Sequence, residues 1–244
     1  MERPVSATVV IDIGNTAVKV AYFENHEITR VQRSEINPFE FDALLKHVRE
    51  THENVVVAAS GLRMNLENFE HRSTVFEITH ATRLPISVDY ETPATVGLDR
   101  LANAVMAQTM FPNQAVLVVD LGSCITFDLT VGCAFQGGAI APGLAMRTRA
   151  MHAFTVRLPQ VQLPENIALV GKSTTAALQS GALNGWRSEI NGMTAAFATL
   201  YPDLQFVYTG GDISYFEQGI KSRIFADPNW TLKGYYEIYR FNAL

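Results

Sequence analysis

The chain carries one short pattern twice: VVIDIGNTAVKVAYF at 9–23 and LVVDLGSCITFDLTV at 117–131. Each copy is an apolar run of strand length, then Asp-x-Gly with a small polar residue, then a second β-rich run. Superposed without gaps, Asp12 falls on Asp120, Gly14 on Gly122 and Asn15 on Ser123. A single strand–turn–strand is an ordinary hairpin. Two copies predict a duplicated α/β domain with a cleft between the halves. Each copy would aim an Asp and a tight Gly turn into that cleft, an arrangement suited to a nucleotide triphosphate and its metal.

Composition narrows the partners. With 244 residues, 48% of them hydrophobic, the chain is long enough for one large core or two smaller ones. The formal net charge is −5 and no basic stripe is present, which argues against nucleic acid as a partner. No apolar run reaches membrane-spanning length, and MERPVSATVVIDIG lacks the pattern of a secretory leader. The expectation is a cytoplasmic protein with no membrane association. Cys124 and Cys133 lack metal-ligand spacing and read as reduced thiols.

The order of elements repeats as well. In the first half, strands are predicted near 8–13, 18–23 and 28–33, then a helix opening at Pro38. The run VVVAAS at 55–60 reads as a buried parallel strand. A short helix near 64–71 and a strand near 75–78 follow. LDRLANAVMAQTM at 98–110 is strongly helical in pattern. The second half predicts strands near 115–121, 125–131 and 134–140, and helices near 143–154 and 171–200. A strand at 205–209, a helix near 213–222 and a final strand and helix close it. Three strands, helix, strand, helix in each half is the ribonuclease-H-like unit, divided here into 1–112 and 113–244.

Four segments carry chemistry. In Asp12-Ile13-Gly14-Asn15-Thr16, Gly14 would permit a tight turn and close backbone approach. Asn15 and Thr16 supply donors for phosphate oxygens, and Lys19 either reaches the same anion or alternates outward. Asp12 is placed to hold Mg²⁺, directly or through water; the plain alternative is a hairpin turn. Asp120 and Ser123 repeat that logic with a second carboxylate for a cation and a hydroxyl for phosphate. Asp128 reads either as part of this site or as an exposed strand-end charge. In Thr209-Gly210-Gly211-Asp212 the glycine pair lets a ligand lie against backbone, the place for an adenosine, and Asp212 suits a helix cap. In Gly97-Leu98-Asp99-Arg100, Asp99 is either a general base or a helix-start carboxylate. Arg100 is either a carboxylate-binding guanidinium or a surface charge. Gly171-Lys172-Ser173-Thr174 imitates the end of a P-loop, but Asn166 stands where its first glycine belongs.

In this order the motifs resemble the type III pantothenate kinase family. They are DIGNT at 12–16, Tyr90 ahead of GLDR, DLGS…ITFD at 120–128, GGAIAPGL at 137–144, RLPQV at 157–161, GKST at 171–174, TGGD at 209–212 and WTLKGYYEIY at 230–239. The resemblance implies the actin-like ATPase superfamily: two ribonuclease-H-like domains related by duplication, with the active site between them. It implies transfer of the ATP γ-phosphoryl group to the terminal hydroxyl of pantothenate, the first step toward coenzyme A. By position, Asp12, Ile13, Gly14, Asn15, Thr16, Ala17, Val18 and Lys19 would contact the ATP phosphates, and Asp99 would accept the proton. Tyr90, Gly97, Leu98, Asp99 and Arg100 would bind pantothenate. Asp120 would hold a monovalent cation, K⁺ or NH₄⁺, and Ser123 would contact ATP. Thr174 would reach pantothenate from the partner subunit of a homodimer. The chain departs from the family's usual Thr-Ala with Ser123 and Cys124; serine keeps the hydroxyl. The competing readings are a superfamily kinase for another small acid or a sugar, and a non-catalytic regulatory relative.

Overall fold

A computed structural model of the chain describes residues 7–35, 47–48, 54–59, 74–217 and 225–243. The helix expected to open at Pro38 lies outside the described residues except at 47–48, as do the short helix near 64–71 and the end of the helix expected at 213–222. The chain divides into two compact units, Met1–Met110 with Trp230–Leu244, and Phe111–Asn229.

The first unit holds strands β1 (Thr8–Ile13), β2 (Ala17–Glu24), β3 (Glu27–Glu35), β4 (Asn54–Ala59) and β5 (Thr74–Ile78), in the order β3-β2-β1-β4-β5. Every residue of β1 is buried. That is why TVVIDI is apolar without alternation: β2 flanks it antiparallel, β4 flanks it parallel, and both of its faces are covered. One face, with Val9, Ile11, Ile13, Val18 and Val20, forms an aliphatic core. A two-residue strand β6 (Ser87–Val88) and a 3₁₀ turn at Pro93–Thr95 precede helix α1 (Leu98–Met110).

The second unit holds β7 (Ala115–Leu121), β8 (Cys124–Val131) and β9 (Ala134–Pro142), then helices α2 (Leu144–Ala153) and α3 (Thr174–Leu200). Strand β10 (Gln205–Thr209), helix α4 (Ile213–Glu217) and strand β11 (Phe225–Ala226) follow. Its five strands lie in the order β11-β10-β7-β8-β9. Read from the opposite edge this is the first unit's order: third, second, first, fourth, fifth. The first three strands are antiparallel, and β10 returns parallel to β7. One face of this sheet packs Leu117, Val119, Leu121 and Phe127 against Leu183, Trp186 and Ile190 of α3. Truncating a fully buried tryptophan such as Trp186 costs about 3–5 kcal/mol.

The last helix corrects the predicted division of the chain. Helix α5 (Trp230–Ala243), which carries WTLKGYYEIY, belongs to the first unit and not to 113–244. Its Tyr236 stacks on Phe23 with ring centroids 4.0 Å apart, and Tyr239 meets Phe76 edge-on. Trp230 Nε1 donates to the Asn103 carbonyl at 3.2 Å, and the Thr231 hydroxyl to Asn103 Oδ1 at 2.9 Å. At Gly234 a Cβ would collide with the Ala102 carbonyl, so only glycine lets α5 cross α1 this closely. Sequence order does not say to which sheet a terminal helix returns; its aromatic stripe does, once the sheets exist. Among the described residues no helix is long and apolar enough to cross a membrane.

Candidate active site

The two Asp-x-Gly turns close differently. Ile13 pairs with Val18 and Leu121 with Ile125, so the first turn is one residue longer. The ungapped superposition of the two sequences therefore fails beyond the turn. It sets Lys19 on Phe127, whereas Lys19 stands opposite Asp12 and Thr126 stands opposite Asp120. A one-residue slip changes which side chains share a face.

In the first turn the Gly14 N–H donates to the Ala17 carbonyl at 3.0 Å. In the second, the Gly122 N–H donates to the Cys124 carbonyl at 3.0 Å. Neither glycine has a positive φ. A Cβ would meet Ala17 O at 3.2 Å in the first and nothing nearer than 3.6 Å in the second. Neither backbone conformation demands glycine; at Gly14 the absent side chain provides room beside the Ala17 carbonyl. Asn15 and Thr16 form the exposed tip. Asp12 is only 7% exposed, at the sheet end of the turn. Ile13 and Val18 are core residues, so anything they offer a phosphate is backbone.

Around Asp120 three segments converge as bare backbone. Gly143, just before α2, donates its N–H to the Ser123 carbonyl at 3.2 Å, and a Cβ there would collide with the Gly122 and Ser123 carbonyls. Gly210 has φ +101°, which favours glycine, and a Cβ on it would strike the Leu121 carbonyl and lie 2.6 Å from Asp120 Oδ1. The Asp212 N–H donates to the Leu121 carbonyl at 2.9 Å, and Gly211 is exposed beside it. The backbone around Asp120, Ser123, Gly210 and Gly211 is therefore brought together within the second unit. Asp128 is not a strand-end charge: it lies within β8, 0% exposed, and accepts a hydrogen bond from the Thr126 hydroxyl at 2.7 Å.

At the start of α1, the Leu101 N–H donates to the Gly97 carbonyl and the Arg100 N–H to Asp99 Oδ1 at 2.9 Å. Asp99 thus lies in the first helical turn, where the unsatisfied N–H groups favour negative charge. Arg100 is not a surface charge; it is 5% exposed. Leu98 is buried with it, and Tyr90 is exposed. Thr174 is exposed at the first turn of α3, which Ser173 caps by accepting from the Ala176 N–H at 3.1 Å. Gly171 packs against that turn, where a Cβ would collide with the backbone of Ala176 and Ala177. GKST is accordingly a helix-start motif rather than a phosphate loop.

The family model for type III pantothenate kinase matches residues 8–196. A relative from Christiangramia forsetii named type III pantothenate kinase is 35% identical over 237 residues, spanning 96% of this chain and 98% of the relative. The chain belongs to the type III pantothenate kinase family. Two solved structures show the same fold at low identity. A Campylobacter jejuni protein described as a Baf family transcriptional activator has TM-score 0.60 at 17% identity, covering 96% of this chain and 98% of its own. A ROK hexokinase from Thermus thermophilus has TM-score 0.52 at 13% identity, covering 98% and 100%. These likenesses carry the duplicated ribonuclease-H-like, actin-like architecture and nothing about substrate.

For a type III pantothenate kinase, the sequence reading left two neighbours of Asp120 without a role. Thr126 and Thr209 flank it in register on β8 and β10. Thr209 lies inside the TGGD motif, but motif spacing does not set its hydroxyl beside Asp120. Only strand register identifies the hydroxyls.

Proposed function

We propose that this chain phosphorylates pantothenate, moving the γ-phosphoryl group of ATP to its terminal hydroxyl. The observation that carries the reading is membership of the type III pantothenate kinase family with near full-length coverage of the relative. Phosphoryl transfer asks a protein chiefly for positioning and charge neutralisation. The exposed tip Asn15-Thr16, with Lys19 behind it, receives the phosphates, and Asp12 holds Mg²⁺. Gly210 and Gly211 receive the adenosine, and Asp120 with Ser123 serves a monovalent cation and ATP. When bound, the two cations neutralise charge that builds on the phosphoryl oxygens.

Asp99 takes the proton from the acceptor hydroxyl. Its Oδ1 is steadied by the Arg100 N–H, which fixes the carboxylate at the helix start. Arg100 holds the pantothenate carboxylate, with Tyr90, Gly97 and Leu98 beside it. A buried guanidinium next to the base favours an acidic acceptor over a sugar, because a planar fork matches a carboxylate. A homodimer, with Thr174 reaching the partner's acceptor site, is part of the same reading. Gly181, Gly185 and Gly192 leave open space along an unbroken α3, and a groove of about 450 Å³ runs beside Gly181 and Gly185. A cytoplasmic location and a first step toward coenzyme A belong to the same reading.

The test is ADP release coupled to a spectrophotometric readout, with and without pantothenate. Pantothenate-dependent release supports the assignment; release indifferent to pantothenate, or its absence, sinks it.

A further inference from the structure

Asp120 occupies the middle of a polar row that crosses the second unit's sheet. It pairs with Thr126 on the antiparallel side and Thr209 on the parallel side. Residues paired in register project from the same face, with Cβ atoms roughly 4.5–5.5 Å apart. The row is therefore hydroxyl, carboxylate, hydroxyl at the ends of three adjacent strands.

The two hydroxyls are in different states, and both suit a cation. Thr126 donates its proton to Asp128 Oδ2 at 2.7 Å, and Asp128 is fully buried. With the proton committed, the Thr126 oxygen presents only lone pairs to its other neighbours. Thr209 is 1% exposed, and its Oγ1 has no hydrogen-bond partner among the described residues. An orphaned buried hydroxyl is uncommon and calls for a missing ligand. The space beside Asp120 is kept open by Gly210, where a Cβ would lie 2.6 Å from Asp120 Oδ1.

Taking the cation role of Asp120 from the reading above, we infer that Thr126 and Thr209 are neutral oxygen ligands that complete a monovalent-cation site, with Asp128 orienting Thr126. The donor set decides the class of ion. Oxygen ligands suit hard cations. The row itself holds one carboxylate, Asp120; Asp128 lies outside the row, two residues along β8, and orients the Thr126 hydroxyl by accepting its hydrogen bond. One carboxylate between two neutral hydroxyl oxygens is a donor set that suits a univalent ion better than a divalent one. The equivalent row in the first unit is Lys19, Asp12, Ala58, with an ammonium and a methyl in place of the hydroxyls.

The experiment measures ADP affinity by calorimetry across a KCl titration, with choline chloride holding ionic strength constant. Wild-type protein should bind ADP more tightly as K⁺ rises. Thr209→Val and Thr126→Val should each raise the K⁺ concentration for half effect by about 10–100-fold. Thr209→Ser, which keeps the oxygen, should stay within about threefold of wild type. Thr209→Ser as impaired as Thr209→Val would reassign Thr209 to packing and overturn its ligand role. Should valine at the buried position 209 unfold the chain, Thr126→Val at its half-buried site carries the test. An unchanged K⁺ response there overturns the inference. ADP binding indifferent to K⁺, in protein that still turns over pantothenate, removes the cation site and leaves the kinase. K⁺-dependent ADP binding without pantothenate turnover does the reverse.

Discussion

Asp12 and Asp120 each stand at the end of the first strand of a five-strand unit, yet their lateral neighbours differ. Lys19 and Ala58 flank the first; Thr126 and Thr209 flank the second. The strand order is shared, so the difference lies in side chains and in one residue of turn length. Asp12 has an ammonium group in register beside it, whereas Asp120 has two neutral hydroxyls. The two units thus share a strand order and differ in the side chains set beside the strand-end Asp.

The comparison breaks most clearly at the residue that belongs to neither turn. Asp99→Asn is expected to lower kcat by about 10²–10⁴-fold while ADP affinity and melting temperature stay close to wild type. Near-normal turnover would return the proton-accepting role to one of the turns. Next in size, Gly210→Ala should destabilise the chain by about 1–3 kcal/mol in urea melts, because it forces a side chain to φ +101° against the Leu121 carbonyl. Gly14→Ala, with its nearest contact at 3.2 Å, should cost under about 1 kcal/mol and act instead on ATP affinity. Equal destabilisation would erase the contrast between Gly14 and Gly210.

Lys19→Met tests the charge assignment directly. The KM for ATP should rise about tenfold, roughly 1.4 kcal/mol, with the K⁺ response intact. Loss of the K⁺ response would tie Lys19 to the second turn.

The smallest effect is a pH dependence that both units share. Burial raises Tyr208 above its ordinary 10.0, partly offset by a hydrogen bond with the Thr194 side chain. Burial raises Tyr236 and Tyr239 in the first unit too, offset at Tyr236 by Arg240. A raised folded-state value means the contribution is complete below the ordinary 10.0 and is lost as pH rises through the folded value. Urea midpoints should therefore hold to about pH 9 and fall above about pH 10. Tyr236→Phe and Tyr208→Phe should each flatten that fall; a slope unchanged in both would assign it elsewhere.

How much was legible beforehand follows from the range of each interaction. The runs TVVIDI and AVLVVDL announce buried central strands because burial on both faces removes polar residues locally. The helix at 98–110 and the family motifs are likewise local patterns. Arg100 was legible as a cation but not as a buried one, since burial depends on what packs over it. GKST resembles the end of a phosphate loop, which Asn166 already argues against; that Gly171 packs on the first turn of α3 is decided only by the fold.

The sequence by itself determined the duplication, the strand-turn-strand units and the residues able to carry phosphate and proton chemistry, because periodicity and motif spacing are properties of neighbouring residues. Tertiary structure alone decided that the closing helix completes the first unit, that Lys19 faces Asp12, and that Asp120 lies between two threonines. Each depends on strand register or on helix docking, which are set by contacts between residues far apart in the chain, where a one-residue change in a turn moves a side chain to the other face.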